Sequence, residues 1–175
     1  MGINNVTENV EEKKILELII ESSEYFLQSA GNNLNYQKFT DDILYISGAK
    51  YACFDLYNDD GSKFRTLAFS APSEVIKKIS SLLGFKFIGR EWLLDPGRAE
   101  KIKAHTITHF PTLSELVAQL IPKPVLYILE KTFGSGEVAL VKILKDNLMV
   151  GDFTIFMPRN TKIKNKIILI YIPDR

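Results

Sequence analysis

The chain has 175 residues, 46% of them apolar and 25% charged, enough for one domain with a sizeable core. Its net charge of +1 gives no basic footprint for nucleic acid or for an anionic membrane, so neither is expected as a partner. The single cysteine, Cys53, excludes an internal disulfide and fits a reducing, cytoplasmic setting.

The start, MGINNVTENVEEKK, is polar and acidic without the apolar run of a secretory signal, and residues 1–8 are expected to be flexible. Residues 9–30 read as an amphipathic helix with Ile15, Leu18, Ile19 and Phe26 on one face, closed by Gly31-Asn32-Asn33. A second helix is expected over 35–47, with Phe39, Ile43 and Ile46 spaced for burial and Gly48 as its stop. Tyr51 to Tyr57 alternates as a strand that is partly apolar on both faces. Asn58-Asp59-Asp60-Gly61 is a turn signal, and Phe64 to Ala71 returns as the second strand. Ser73 is suited to cap a helix running to Leu83.

Phe85 to Leu93 reads as a third strand interrupted by Gly89. Asp95-Pro96 opens a short helix through about Lys103, with Pro96 at its first position. Thr106 to Phe110 is irregular or a short strand, Thr112 caps a helix through Leu120, and Val125 to Phe133 makes another after the breaks at Pro122 and Pro124. Residues 136–158 then form a hairpin of two β-rich runs around Lys145-Asp146-Asn147, and a last helical segment starts near Lys164. The lysines at 162, 164 and 166 read as a solvated helix start. Hairpin-linked strands with helices before, between and after them predict a single α+β domain over 1–175, a central antiparallel sheet with helices on both faces.

Two segments carry a family likeness: IGREWLLDPGRAEKIKAHTITHFPTLSELVAQLIPKPVLYILEKTFG at 88–134 and GEVALVKILKDNLMVGDFTIFMP at 136–158. Together with the preceding strands they resemble a GAF domain, most closely those of archaeal, methanogen-type sensory transduction histidine kinases. The resemblance implies a GAF/PAS-like sheet, a helical insertion over 95–133, and a ligand cleft bordered by 51–57, 85–93 and that insertion. It also implies a dimer bundle built on the terminal helices, here the one at 9–30. The chain departs from the wider family in two ways. It has no phosphoacceptor-histidine box and no Gly-rich ATP-binding box, so no kinase activity is expected of it. The Asn-Lys, Phe and Asp-Glu signature of cyclic-nucleotide binding is not recognisable. The last helix is cut short near Ile172-Pro173, which fits either a piece of a longer sensor or a stand-alone domain.

Six residues are candidates for contact with a ligand: Cys53, Arg90, Trp92, Arg98, His105 and His109. Cys53 is either a reactive thiol or tetrapyrrole attachment point, or a buried small apolar side chain, and the second reading is preferred. One cysteine does not complete the thiol cycle of GAF-type methionine sulfoxide reductases. Arg90, Trp92 and Arg98 offer a fork for an anion and a ring for a planar ligand, against the alternative of an ion-paired strand end. His105 and His109 lie four apart, but Thr-rich sequence and Pro111 argue against a helix, so no metal site is expected. The cofactor is left unknown; haem or another tetrapyrrole is an outside reading. The expected function is a non-catalytic sensory domain that binds a small ligand, with a ligand-free dimerisation or protein-interaction module as the alternative.

Overall fold

The computed structural model describes residues 35–105, 107–117, 120–145 and 147–161. The expected helix at 9–30, with its dimer contact, and the helical segment after Lys164 lie outside the described residues. Among the described residues six strands form one antiparallel sheet: β1 (Tyr51–Tyr57), β2 (Lys63–Ser70), β3 (Glu91–Leu93), β4 (Ile107–Phe110), β5 (Val138–Lys145) and β6 (Leu148–Phe156), in spatial order β3-β2-β1-β6-β5-β4. Among the described residues five helices accompany it: α1 (Tyr36–Ser47), α2 (Ser73–Leu83), α3 (Pro96–Lys103), α4 (Leu113–Val117) and α5 (Lys123–Phe133). The fold is the expected α+β arrangement, with helices on both faces. No helix among the described residues is long and apolar enough to cross a membrane.

The two faces follow from strand alternation. Ala52, Phe54, Ala68, Ala139, Val141, Phe153 and Ile155 point one way and pack under Phe39, Ile43 and Ile46 of α1. Each of these large α1 side chains contributes about 1.5–3 kcal/mol by leaving water. The Asn35 side chain caps α1 by accepting from Lys38 N–H at 3.1 Å, and Gly48 closes it at φ 63°. On the opposite face, Tyr51, Cys53 and Phe69 meet Phe87 and the α2 side chains Val75, Ile76, Ile79 and Leu83. Farther along that face, Val138 and Leu140 pack with Phe110, Ile102 of α3 and Leu116 of α4.

Local details differ from the sequence expectation in three places. Pro72, not Ser73, caps α2: its carbonyl accepts from Val75 and Ile76, and Ser73 is already helical. The third strand covers only Glu91–Leu93, because Gly89 at φ 86° turns the chain and swings Phe87 inward against Phe69. Thr112 caps α4 as expected, accepting from Glu115 N–H at 3.2 Å, and residues 118–119 lie outside the described residues. Helix α5 begins at Lys123, since Pro124 sits in its first turn, where no N–H is needed.

Two irregularities shape the sheet. Between Phe54 and Asp55 the pairing with β2 slips, so that Phe54 faces Ala68 and Asp55 faces Thr66. Leu67 is the extra residue of this bulge, and it joins the α1 side of the core. At Gly151 the backbone of β6 approaches β1 so closely that an added Cβ would lie 2.8 Å from the Asp55 carbonyl oxygen and 3.4 Å from the Phe54 ring. Gly151→Ala is therefore expected to destabilise the domain by about 1–3 kcal/mol, read as a lower urea midpoint at unchanged slope. An unchanged midpoint would show that the strands can part at no cost.

Candidate functional site

Between the second sheet face and the layer of α2, α4 and α5 lies a cavity of about 160 Å³. Its walls are apolar, contributed mainly by Phe69, Leu83, Phe87, Leu116, Leu129 and Phe133. Its base is polar: Cys53, Asp55, Thr66, Trp92, Arg98 and Thr154 all reach it. Strand alternation puts Cys53 and Asp55 on this face, and the bulge at Leu67 brings Thr66 round to join Phe69 there. Arg98 arrives from above on α3, a helix capped by Asp95, whose side chain accepts from Arg98 N–H at 3.0 Å.

The base is a buried charge cluster. Asp55 and Asp152 are direct cross-strand partners on β1 and β6, and their side chains are 6% and 0% exposed. Arg98, at 3%, faces both: its Nη2 lies 3.6 Å from Asp152 Oδ2 and 3.9 Å from Asp55 Oδ2. These are charge contacts, too long for hydrogen bonds. The carboxylates take their hydrogen bonds elsewhere. Tyr57 Oη donates to Asp152 Oδ2 at 2.9 Å and Thr154 Oγ1 to Asp152 Oδ1 at 3.1 Å. Thr66 Oγ1 donates to Asp55 Oδ1 at 2.7 Å, with Cys53 Sγ at 3.6 Å from the same oxygen, and Trp92 Nε1 donates to Thr66 Oγ1 at 3.1 Å. The Arg98 guanidinium stacks over Phe64 at 4.6 Å, while its Nε and Nη2 are buried and hydrogen-bonded to no described residue.

Burial dominates the titration of this cluster. It lifts Asp152 to about 7, helped by the neighbouring Asp55 and opposed by Arg98. It raises Asp55 as well, again against Arg98. Burial works against the Arg98 charge too, but Asp152 and Asp55 more than offset it, so the guanidinium is held more firmly charged. Burial and Asp55 push the Cys53 thiol well up, which keeps it protonated and a poor nucleophile.

Of the six candidate residues, the structure brings Cys53, Trp92 and Arg98 to the cavity. Arg90 is exposed and lies over the Phe85 ring at 3.9 Å, because the Gly89 turn directs it away. His105 is exposed after α3. His109 points outward from β4, with Nδ1 2.8 Å from Glu137 Oε1, since Phe110 takes the inward position. No three His, Cys, Asp or Glu side chains among the described residues are grouped to hold a metal ion. Neither histidine reaches this cavity. Sequence reasoning did not single out Asp55, Thr66 or Asp152 as site residues. The available signal was an aspartate in the middle of each of two otherwise apolar strands.

No family model and no curated protein matches the sequence. The likeness is in three dimensions. A GAF domain from a phosphoenolpyruvate-protein phosphotransferase of Coxiella burnetii superposes with a TM-score of 0.62 at 10% identity, covering 90% of this chain and 86% of that one. The GAF domain of the Acinetobacter phosphoenolpyruvate-protein phosphotransferase gives 0.55 at 9% identity, over 93% and 87%. This is the GAF fold. The chromophore-binding domain of an unusual bacteriophytochrome from R. palustris gives 0.58 at 10% identity over 91% of this chain, which spans 59% of that domain's length. At these identities the GAF likeness is one of architecture.

Asp152 makes the cluster pH-sensitive in a definite direction. The folded state keeps the proton up to about pH 7, whereas the unfolded chain releases it near pH 4. Between those values the folded state binds more protons, so this group's contribution to stability falls as pH rises and levels off above them. Asp152→Asn cannot titrate. Its melting temperature relative to the parent is expected to climb between about pH 5 and pH 8, and a difference that stays flat would refute the assignment.

Proposed function

We propose that this chain is a sensory or regulatory GAF domain that binds a small ligand in the cavity above Arg98. The observation that carries the reading is a cavity with apolar walls and a polar base to which Cys53, Asp55, Thr66, Trp92, Arg98 and Thr154 contribute. The helical insertion does not pack shut on the sheet; an interaction module with no ligand has no need of such a void. We propose further that the domain has no catalysis of its own. Its one thiol is buried and held protonated, and the acids of the base are tied to hydroxyl donors rather than offered to a substrate. Input to a sensor histidine kinase is the setting implied by the sequence resemblance: a ligand that favours one cavity geometry would shift the population of connected helices.

A second reading has its own support. Tyr127 and Ile128, adjacent on α5, are 64% and 44% exposed, which favours a surface for a protein partner.

A thermal-shift screen of the purified chain against a metabolite panel separates the two. A ligand at a hundred times its Kd stabilises by about 2.7 kcal/mol, a melting shift of several degrees for a domain of this size. Val117→Phe, which places a ring into the cavity wall, is expected to abolish that shift. Absence of any stabilisation across a broad panel would favour the interaction module.

A further inference from the structure

Resting on the reading of this cavity as the ligand site, we infer that its ligand is a small, uncharged, apolar molecule, held by burial and shape and carrying no ionic headgroup. The walls supply the attraction. Phe69, Leu83, Phe87, Leu116, Leu129 and Phe133 face a void that none of them fills. Side chains around a void lose the dispersion contacts that a close-packed interior provides, and an apolar occupant restores them. Water gains little from such walls, because it needs several polar partners to settle. The volume of about 160 Å³ limits the occupant to roughly the size of a substituted benzene ring, the scale that an apolar cavity of about 150 Å³ accepts.

The polar base does not call for a charge. Arg98 already faces both Asp55 and Asp152, its guanidinium lies over the Phe64 ring, and its Nε and Nη2 are buried out of an occupant's reach. The two acids are held in turn by hydroxyls: Tyr57 and Thr154 donate to Asp152, and Thr66 donates to Asp55. The indole N–H of Trp92 goes to Thr66 and the Cys53 thiol to Asp55. Beneath the apolar walls the base thus bonds to itself. An anion would bring a further negative charge to a site where Asp55, Asp152 and Glu130 already outnumber Arg98. A cation would meet Arg98. Glu130, the acid at the α4–α5 contact, is engaged by Ser114, whose N–H and Oγ donate to its Oε1 at 3.0 and 2.9 Å. Either ion would give up its water with no counter-ion set aside for it, the costly way to bury a charge. An uncharged apolar molecule meets none of these penalties.

Three planar molecules with the same number of heavy atoms test this on the whole chain by isothermal titration calorimetry near neutral pH: the hydrocarbon α-methylstyrene, benzoate and the benzamidinium cation. The hydrocarbon is expected to bind at least roughly tenfold tighter than either ion, with the negative heat-capacity change of buried apolar surface. Either ion binding within roughly tenfold of the hydrocarbon, or tighter, would overturn the inference while leaving the cavity as a ligand site. So would a heat-capacity change near zero, or failure of all three where the metabolite screen finds a ligand whose effect Val117→Phe abolishes. Failure of all three together with an empty screen would bring down the cavity reading itself. Val117→Phe is expected to remove hydrocarbon binding, and binding that is undiminished in it would place the molecule elsewhere and overturn the inference as well. If that variant does not fold, Leu83→Trp, which fills the cavity from α2, replaces it with the same expectation. If neither folds, the ranking on the parent chain decides.

Discussion

Two carboxylates opposite one another on neighbouring central strands set the terms for this domain. Asp55 and Asp152 are register partners, so the sheet cannot form without bringing them side by side in its interior. Like charges in that position are unfavourable, and burial makes them more so. Arg98 is the answer from the other layer, and it comes from α3, a polar helix with Ile102 as its one buried apolar side chain. The ion cluster therefore does for α3 what an apolar stripe does for α1 and α2: it fixes the helix against the sheet. Such clusters are seldom the most stable solution, since apolar replacements often do as well. What this one provides is a defined place for the start of the canopy over the cavity.

The cavity depends equally on a defect in the sheet. In regular alternation Phe69 and Thr66 would lie on opposite faces, because three positions separate them. The bulge at Leu67 absorbs the odd residue, sends Leu67 to the α1 side, and leaves Phe69 as wall and Thr66 as base. Thr66 then links Trp92 on β3 to Asp55 on β1 through two hydrogen bonds, tying the edge of the sheet to its centre. The short β3 is sufficient because that link and the Gly89 turn hold it, where ladder hydrogen bonds alone would be few.

Much of the scaffold was legible in the sequence because it rests on local signals. The 136–158 hairpin, the strands at 51–57 and 63–70, the Asp95-Pro96 helix start and the Gly48 and Gly84 stops are written in alternation and capping chemistry. Pro124 was misread as a breaker because a proline inside a first turn and one beyond a helix look alike without the neighbouring geometry. Phe85 to Arg90 has strand-forming residues, but Gly89 at positive φ overrides their propensity. For the site, Cys53, Trp92 and Arg98 could be named from residue type alone. Asp55 and Asp152 acquire meaning only together, and their pairing spans most of the described chain. A bulge such as that at Leu67 leaves no mark in the alternation that a single sequence reveals.

Trp92 is the only tryptophan in the chain, and its indole N–H is bound into the hydrogen-bond chain that ends on Asp55. One edge of the ring meets the cavity base and Phe85 lies against it at 5.9 Å. Tryptophan fluorescence from this protein thus has a single emitter, seated where polarity changes when the void fills or when a neighbouring acid gains its proton. The molecule carries its own optical reporter, wired to the group that faces Arg98.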